Sequence, residues 1–178
     1  DIDLILCAGD LPMDYIDFIV SVFNKPTYFI FGNHNLTEYR FYNRSRLGQS
    51  DNSDLISEKQ QPTGGHGAVY AGFRVIRDRN LSFTDPKTGK KTPLLIAGVS
   101  GSIRYNNGLD QYSEGEMSLK LLAMTPSLIW NKIRYGRYLD IFLTHAAPLG
   151  IHDHADLCHR GFRCFRRFIA KYSPQYLV

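Results

Sequence analysis

The sequence has only three cysteines and no long hydrophobic run, and each scarcity argues against a class of protein. An odd number of cysteines, with Cys7 inside an apolar run that predicts a buried strand, argues against a disulfide framework and favours a reducing, cytoplasmic setting. No stretch approaches the roughly 18 consecutive apolar residues of a membrane-spanning helix, so no membrane partner is expected. With 178 residues, 43% of them hydrophobic, we expect one soluble domain over residues 1–178.

Neither sign of charge dominates the sequence. The formal net charge of +4 allows an anionic substrate but does not require one. Basic and apolar residues interleave at helical spacing between 160 and 171, which predicts an amphipathic helix with a solvated basic face. The aromatic signature of ribonucleoprotein domains is missing, which argues against a plain RNA-binding domain.

Polar residues follow three apolar runs that read as buried strands, at the point where each run ends. In open α/β sheets, ligands bind outside the carboxyl ends of the strands. A carboxylate, an amide and imidazole rings there suit a divalent Mn, Fe or Zn ion better than Ca. The runs are Ile2–Ala8, Thr27–Phe31 and 140–143, and the residues that follow them are Gly9-Asp10, Gly32-Asn33-His34-Asn35 and Thr144-His145.

The remaining sequence predicts alternating strands and helices. The first two strands and the helix between them form a βαβ unit. The long polar segment at 43–65 is interpreted as a lid beside the site or as a mobile insertion. Glycine at 136 is typical of a helix C-cap, and Pro126 is expected to break or kink the helix that contains it. The predicted elements are a helix at 14–23, strands at Val69–Ile76, Asn80–Thr84 and Leu94–Val99, a turn at 85–90, a helix at Met117–Arg134 and a strand at 174–178.

Each of the three ligand candidates also has a purely structural interpretation. Asp10 would cap the helix that begins near Pro12, and Asn33 would be a turn residue in the left-handed conformation. His145 would be a strand-end histidine whose ring bonds to the backbone. For His145, the presence of the other two motifs favours the ligand interpretation, and for Asp10 the metal interpretation depends on the resemblance described next.

These motifs resemble those of the calcineurin-like metallophosphoesterases. Gly9-Asp10, Gly32-Asn33-His34 and Thr144-His145 match the family in order and spacing, and the resemblance spans nearly the whole chain. It implies a two-layer mixed β-sandwich flanked by helices, of the α/β (α+β) class. It also implies a metal-dependent phosphoesterase that uses two divalent ions (Mn, Fe or Zn) and a metal-bound hydroxide. The substrate would be a phosphodiester or phosphomonoester, carried by a small molecule or a nucleic acid.

The resemblance assigns roles to particular residues. Asp10 would bridge the two metals, Asn33 and His145 would bind one of them, and His34 would act on the scissile phosphate without being a ligand. His152-x-His154 looks like the family's terminal ligand pair but lacks its preceding glycine, so we do not assign it to the metals. Tyr105 is expected at the rim of the site. Candidates for substrate binding are Asn35 (where the family has Asp or Glu), Arg104, Asp153, His159 and Arg160.

Two family motifs are not found in this sequence, Asp-x-His before the first strand and Gly-His-x-His after the last. We therefore expect the chain to be the central part of a longer protein, cut at both ends. The alternative is a catalytically silent relative that binds phosphate or nucleic acid and lacks a complete dimetal site. Coding sequence beyond Asp1 and Val178 would distinguish the two hypotheses.

Overall fold

A computed structural model describes residues 1–34, 67–84, 89–154 and 156–178, and strands and helices are mixed along them. The predicted segment 43–65, residue Asn35 and most of the predicted turn at 85–90 lie outside these residues. The strands are β1 (Ile5–Cys7), β2 (Thr27–Phe29), β3 (Ala68–Tyr70), β4 (Arg74–Thr84), β5 (Lys91–Val99), β6 (Ser102–Ile103), β7 (Gln111–Tyr112), β8 (Ile141–Thr144) and β9 (Tyr176–Leu177). The helices are α1 (Met13–Phe23), α2 (Glu114–Tyr135) and α3 (Arg163–Tyr172).

Most of the strands form two sheets. The first sheet has the parallel order β1-β2-β3, and the predicted βαβ unit supplies two of its strands. The second sheet has the order β4-β5-β8-β9, in which β4 is antiparallel to β5 and the other pairs are parallel. A short parallel pair, β6-β7, follows the end of β5.

The sheets pack face to face, and helices cover their outer faces. Successive side chains of a strand point to opposite faces, so Ile96 of β5 lies between the sheets with Tyr28, while Leu95 lies under the helices with Phe165. On the other side, α1 packs its Ile16 against the outer face of the first sheet. The predicted two-layer mixed β-sandwich flanked by helices is therefore confirmed.

The predicted strand Val69–Ile76 is wrong, because the chain changes sheets within it. The N–H of Ala71 donates to Phe29 in the first sheet at 2.8 Å, whereas the N–H of Phe73 donates to Gly98 in the second at 2.8 Å. Phe73 has a positive φ of 54°, a turn conformation that ends one strand before β4 begins. β4 then continues through the segment predicted as a separate strand at 80–84, with an irregularity between Asp78 and Ser82.

Helix α2 begins earlier than predicted, and it continues through Pro126, where a break or kink was expected. Its start is fixed by a capping box in which Ser113 and Glu116 each accept a hydrogen bond from the other's backbone N–H. Pro126 is exposed, so water can satisfy the carbonyl that its ring leaves without a donor. Gly136 ends the helix at φ 77°, as the sequence predicts.

The predicted absence of disulfides agrees with the structure, since Cys7, Cys158 and Cys164 are all free. Cys7 and Cys164 are buried, and Cys158 is exposed. Within the described residues, no helix combines the length and the apolar character that crossing a membrane requires.

Candidate metal centre

Three of the predicted residues meet where strands of the two sheets end. Asp10 follows β1 and Asn33 follows β2 in the first sheet, while His145 directly follows β8 in the second. The Nε2 atom of His145 lies 3.1 Å from Oδ1 of Asn33 and 3.5 Å from Oδ2 of Asp10. The structure therefore brings together the three side chains expected to bind metal.

The ring of His145 is oriented by the backbone of the first sheet. Its Nδ1 atom lies 2.9 Å from the carbonyl oxygen of Ala8. A carbonyl oxygen only accepts hydrogen bonds, so Nδ1 carries the proton. In the neutral ring, the lone pair of Nε2 then points toward Asn33 and Asp10. A second hydrogen-bonding partner of this kind accompanies most metal-binding histidines.

The side chain of Asn33 is oriented by Tyr105. The Nδ2 atom of Asn33 donates to the hydroxyl of Tyr105 at 2.8 Å, which turns Oδ1 toward His145. Tyr105 thus lies at the rim, as expected from the sequence. Asn33 is not among the residues with a positive φ, a conformation found here at Gly9 and Asp10, so its interpretation as a left-handed turn residue fails.

The three converging atoms form a set that a cation fits. With the proton of His145 on Nδ1, the atoms that approach one another are Nε2, the amide oxygen of Asn33 and a carboxylate oxygen of Asp10, and all three are acceptors. Acceptors at these distances repel one another unless a proton on Nε2 or a metal cation lies among them. Imidazole, amide and carboxylate are ligands that Mn, Fe and Zn accept. A divalent ion therefore fits this site.

Two glycines leave room for the converging side chains. A Cβ atom on Gly32 would lie 2.6 Å from Cγ of Asp10 and 2.6 Å from Cε1 of His145, far inside normal contact distances. Gly9 has a φ of 107°, and a Cβ there would collide with the ring of His145. Only glycine suits either position, because the backbone itself passes directly beside the ligand candidates.

The second carboxylate oxygen of Asp10 accepts the backbone N–H of His34 at 3.1 Å. Helix α1 has Pro12 as its N-cap and no side-chain cap hydrogen bond, so Asp10 does not have the capping role considered from the sequence. His34 itself is exposed. The hydrogen bond joins the loop after β2 to the loop after β1 and places His34 next to the proposed ligands in the chain fold.

Hydrogen bonds between the sheets hold this end of the sandwich together. The Oγ atom of Ser100, just after β5, accepts the N–H of Phe31 at 3.1 Å, and the N–H of Gly101 donates to the carbonyl of Phe31 at 3.0 Å. Within the second sheet, the N–H of His145 lies 3.3 Å from the carbonyl of Val99, the residue before Ser100. These bonds fix the position of Asn33 relative to His145.

The predicted substrate-binding residues have contacts of other kinds. Exposed Arg104 bonds to Glu116 at 2.7 and 2.9 Å. Asp153 accepts the N–H groups of Gly161 at 3.1 Å and Gly150 at 2.8 Å, which lower the pKa of its carboxyl group and brace the loop. Asn35 lies outside the described residues, and His159 and Arg160 are exposed in the loop before α3.

Sequence reasoning missed a polar cluster in that loop. Asp156 accepts from Cys158 at 2.8 Å and from His159 at 2.6 Å, and these bonds lower the pKa of Asp156 to about 2. The same carboxylate raises the pKa of the Cys158 thiol. The three side chains are exposed, and their ligand atoms lie within 4.8 Å of one another. The Asp-x-Cys-His spacing in the sequence is the signal from which this cluster could have been predicted.

A family model agrees with the motifs and the fold. The model of the calcineurin-like phosphoesterases matches residues 1–178, the whole of this sequence. Among curated proteins, none matches the sequence significantly. The matched region includes the three strand ends that carry Asp10, Asn33 and His145, and the β-sandwich has the architecture expected of the family. The chain therefore belongs to the calcineurin-like phosphoesterase family.

Proposed function

We propose that this protein hydrolyses phosphate esters with divalent metal ions and that Asp10, Asn33 and His145 bind one of those ions. Membership of the family implies a metal-dependent phosphoesterase in general terms. The observation that carries the residue assignment is the approach of two side-chain oxygens to Nε2 of His145, Oδ1 of Asn33 at 3.1 Å and Oδ2 of Asp10 at 3.5 Å. A cation at this position would lower the pKa of a coordinated water and neutralise phosphate oxygens.

Asp10 is the proposed bridge to a second metal ion. One of its oxygens faces Nε2 of His145, and the other accepts the N–H of His34, which fixes the plane of the carboxylate. Three protein ligands suffice for one ion that keeps a water in its open position. The proposal of two ions therefore requires ligands in addition to Asp10, Asn33 and His145.

His34 is the proposed catalytic residue that does not bind metal. Its backbone is joined to Asp10, and its exposed side chain is available to a substrate bound at the centre. A protonated imidazole at this point would stabilise charge on the phosphate oxygens or protonate the leaving oxygen. An alkoxide is a poor leaving group, so its departure is faster when an acid protonates the leaving oxygen.

The proposed substrate is a phosphodiester or phosphomonoester on a small molecule or a nucleic acid. Arg160 is exposed and would offer a planar guanidinium to a phosphate. Arg104 would contact substrate only by exchanging its bond to Glu116 for one to phosphate. Asn35, Asp153 and His159 complete the proposed substrate-binding set, with Asp153 shaping the loop rather than contacting phosphate.

The cytoplasm is the proposed setting. Cys7, Cys158 and Cys164 are free, and Cys158 is exposed. Free thiols persist in reducing compartments, which supports this location.

A catalytically silent phosphate-binding relative is the second candidate. It is favoured by the ligand count, since within the described part of the chain the centre offers three ligands to one ion and only the shared Asp10 to another. Such a protein would bind a cation and phosphate without turning over an ester. Catalysis and metal binding must therefore be measured separately.

The experiment is hydrolysis of bis-p-nitrophenyl phosphate and p-nitrophenyl phosphate by the complete gene product, with Mn²⁺, Fe²⁺ or Zn²⁺ added and with a chelator. Metal content is measured in parallel on wild type, on His145→Ala and on His154→Ala, an exposed histidine outside the centre that serves as the matched control. Metal-dependent turnover that only His145→Ala removes supports the enzyme. Metal binding without turnover by the folded protein supports the silent relative, and equal metal content in all three proteins contradicts the ligand assignment.

A further inference from the structure

Helix α2 has a second apolar face, opposite the one that packs in the core. Its core face carries Met117, Leu121, Met124 and Leu128, all buried under the second sheet. The opposite face carries a row of apolar residues that we call the outer stripe. The outer stripe consists of Leu119, Leu122, Pro126, Ile129 and Ile133, and its four large members are 67, 61, 47 and 74% exposed.

The spacing of the outer stripe is that of a helix-pairing seam. Its members are separated by three, four, three and four residues, the alternation of a and d positions in a heptad. The stripe runs for about 21 Å along the helix at 1.5 Å per residue. A helix that packs on one side only normally has polar residues on the other. Trp130, 56% exposed, adds to the apolar surface beside the stripe.

We propose that the outer stripe binds the outer stripe of a second copy of this chain, with the two α2 helices antiparallel. The charges at the helix ends select this partner and this orientation. The first turn carries Glu114 and Glu116, and the last turn carries Lys132 and Arg134. Antiparallel pairing places the acidic turn of each copy beside the basic turn of the other, whereas parallel pairing places like charges together.

The shape of the stripe also suits a two-fold contact. Large side chains lie toward both ends of the stripe, while Pro126, at its middle, is smaller and lets two helices approach closely. A two-fold interface uses the same patch on both copies, so one self-complementary stripe is sufficient. Glu116 is already paired with Arg104, whereas Glu114 accepts the neutral backbone N–H groups of Arg163 and Cys164, so the acidic charge that orients the pair is mainly that of Glu114.

A single helix pair buries less area than a standard permanent interface, so the dimer is expected to be weak and dependent on concentration. The first test is sedimentation equilibrium of the wild-type protein over roughly a hundredfold range of concentration around the micromolar. Leu122→Glu is expected to leave only monomer. The matched control is Phe18→Glu, which places the same charge at a similarly exposed position, 57%, on α1.

Dimerisation by wild type and Phe18→Glu, and its loss in Leu122→Glu, supports the proposal. Wild type that stays monomeric throughout the range overturns it, as does a dimer that survives Leu122→Glu. Both substitutions are at exposed positions, and circular dichroism of each variant confirms that the comparison is between folded proteins.

The second test determines the orientation. Leu119→Cys and Ile133→Cys are made separately in a Cys158→Ser background, which removes the exposed native thiol. The two proteins are mixed and oxidised mildly. Antiparallel pairing predicts that the disulfide between Cys at 119 and Cys at 133 forms in excess over either like pair. An excess of 119–119 and 133–133 disulfides would show parallel pairing and overturn the proposed orientation.

Discussion

The ring of His145 and the carbonyl of Ala8 are joined by a hydrogen bond of 2.9 Å, although the residues are 137 positions apart. Ala8 belongs to the end of the first sheet, and His145 follows a strand of the second. The bond sets both the orientation of the ring and the nitrogen that carries the proton. The proposed metal site is thus formed jointly by the two sheets.

Removal of the Asp10 charge is expected to abolish metal-dependent turnover. Asp10→Asn keeps the size of the side chain but replaces the carboxylate oxygen that faces Nε2 of His145 with a neutral amide group. We expect activity to fall by about a hundredfold or more. Mn²⁺ should raise the melting temperature of wild type and leave that of Asp10→Asn nearly unchanged, since only bound ligand stabilises the native state. Turnover by Asp10→Asn at the wild-type rate would exclude Asp10 as a ligand.

Truncation of His34 is expected to slow catalysis without releasing metal. His34→Ala retains the backbone N–H that donates to Asp10, so the carboxylate keeps its orientation. General acid catalysis by one side chain typically contributes about 10²–10⁴-fold, and a loss of this size in kcat is expected. Metal content by mass spectrometry should match that of wild type, and a parallel loss of metal would instead identify His34 as a ligand.

A methyl group at Gly32 is expected to disrupt the centre. The Cβ of Gly32→Ala would collide with the carboxylate of Asp10 and lie 2.6 Å from Cε1 of His145, so one of these side chains must move. We expect metal affinity to fall by at least about tenfold, measured by calorimetric titration. Gly115→Ala is the control, because its surroundings are open and alanine favours helices. Equal affinity in wild type and Gly32→Ala would mean that the ligands do not converge as described.

A buried ion pair far from the centre is expected to dominate the stability of β8. Arg137 bonds to both oxygens of Asp140, at 2.5 and 2.9 Å, and Asp140 is only 2% exposed. Arg137→Met leaves the carboxylate bonded to the N–H of Leu95 but without a charged partner, and is expected to reduce the free energy of unfolding by about 3–5 kcal/mol. Arg104→Met, at an exposed ion pair with Glu116, should cost far less, because water and salt screen exposed charges. Urea denaturation measures both, and similar losses would contradict the distinction.

The reactivity of Cys158 should depend on Asp156. The carboxylate accepts a hydrogen bond from the thiol and raises its pKa, so less thiolate is present at a given pH. Asp156→Asn removes the charge, and the pH profile of alkylation by iodoacetamide should shift to lower pH, with faster labelling at neutral pH. Cys164 is the internal control. Its pKa is raised to about 12, mainly by burial, so it should stay unlabelled in both proteins. An unchanged profile for Cys158 would show that the hydrogen bond has no influence in solution.

The sequence predicts the strand ends well because each is a local pattern. A buried apolar run followed by Gly-Asp or Gly-Asn-His indicates both the strand and the polar residues beyond it, without knowledge of the rest of the chain. The change of sheet at Phe73 has no such pattern, because apolar residues continue from one strand into the other. Only the positive φ and the hydrogen bonds to two different sheets separate β3 from β4.

The contacts that orient the ligands were also beyond sequence reasoning. Ala8 acts through a backbone carbonyl, which every residue possesses, and its partner His145 is distant in sequence. Tyr105 could be expected at the rim, but its bond to Asn33 depends on how the loop after β5 is placed. The capping box of Ser113 and Glu116 was a readable local signal that would have located the start of α2.

Because one proposed ligand comes from the second sheet and two come from the first, their separation depends on the thickness of the apolar layer between the sheets. Tyr28 and Ile30 of one sheet pack there against Ile96 and Ile141 of the other. Each transition metal prefers its own coordination geometry. If the proposed site binds metal, substitutions in this layer should therefore alter which metal it prefers, although none of these residues is a proposed ligand.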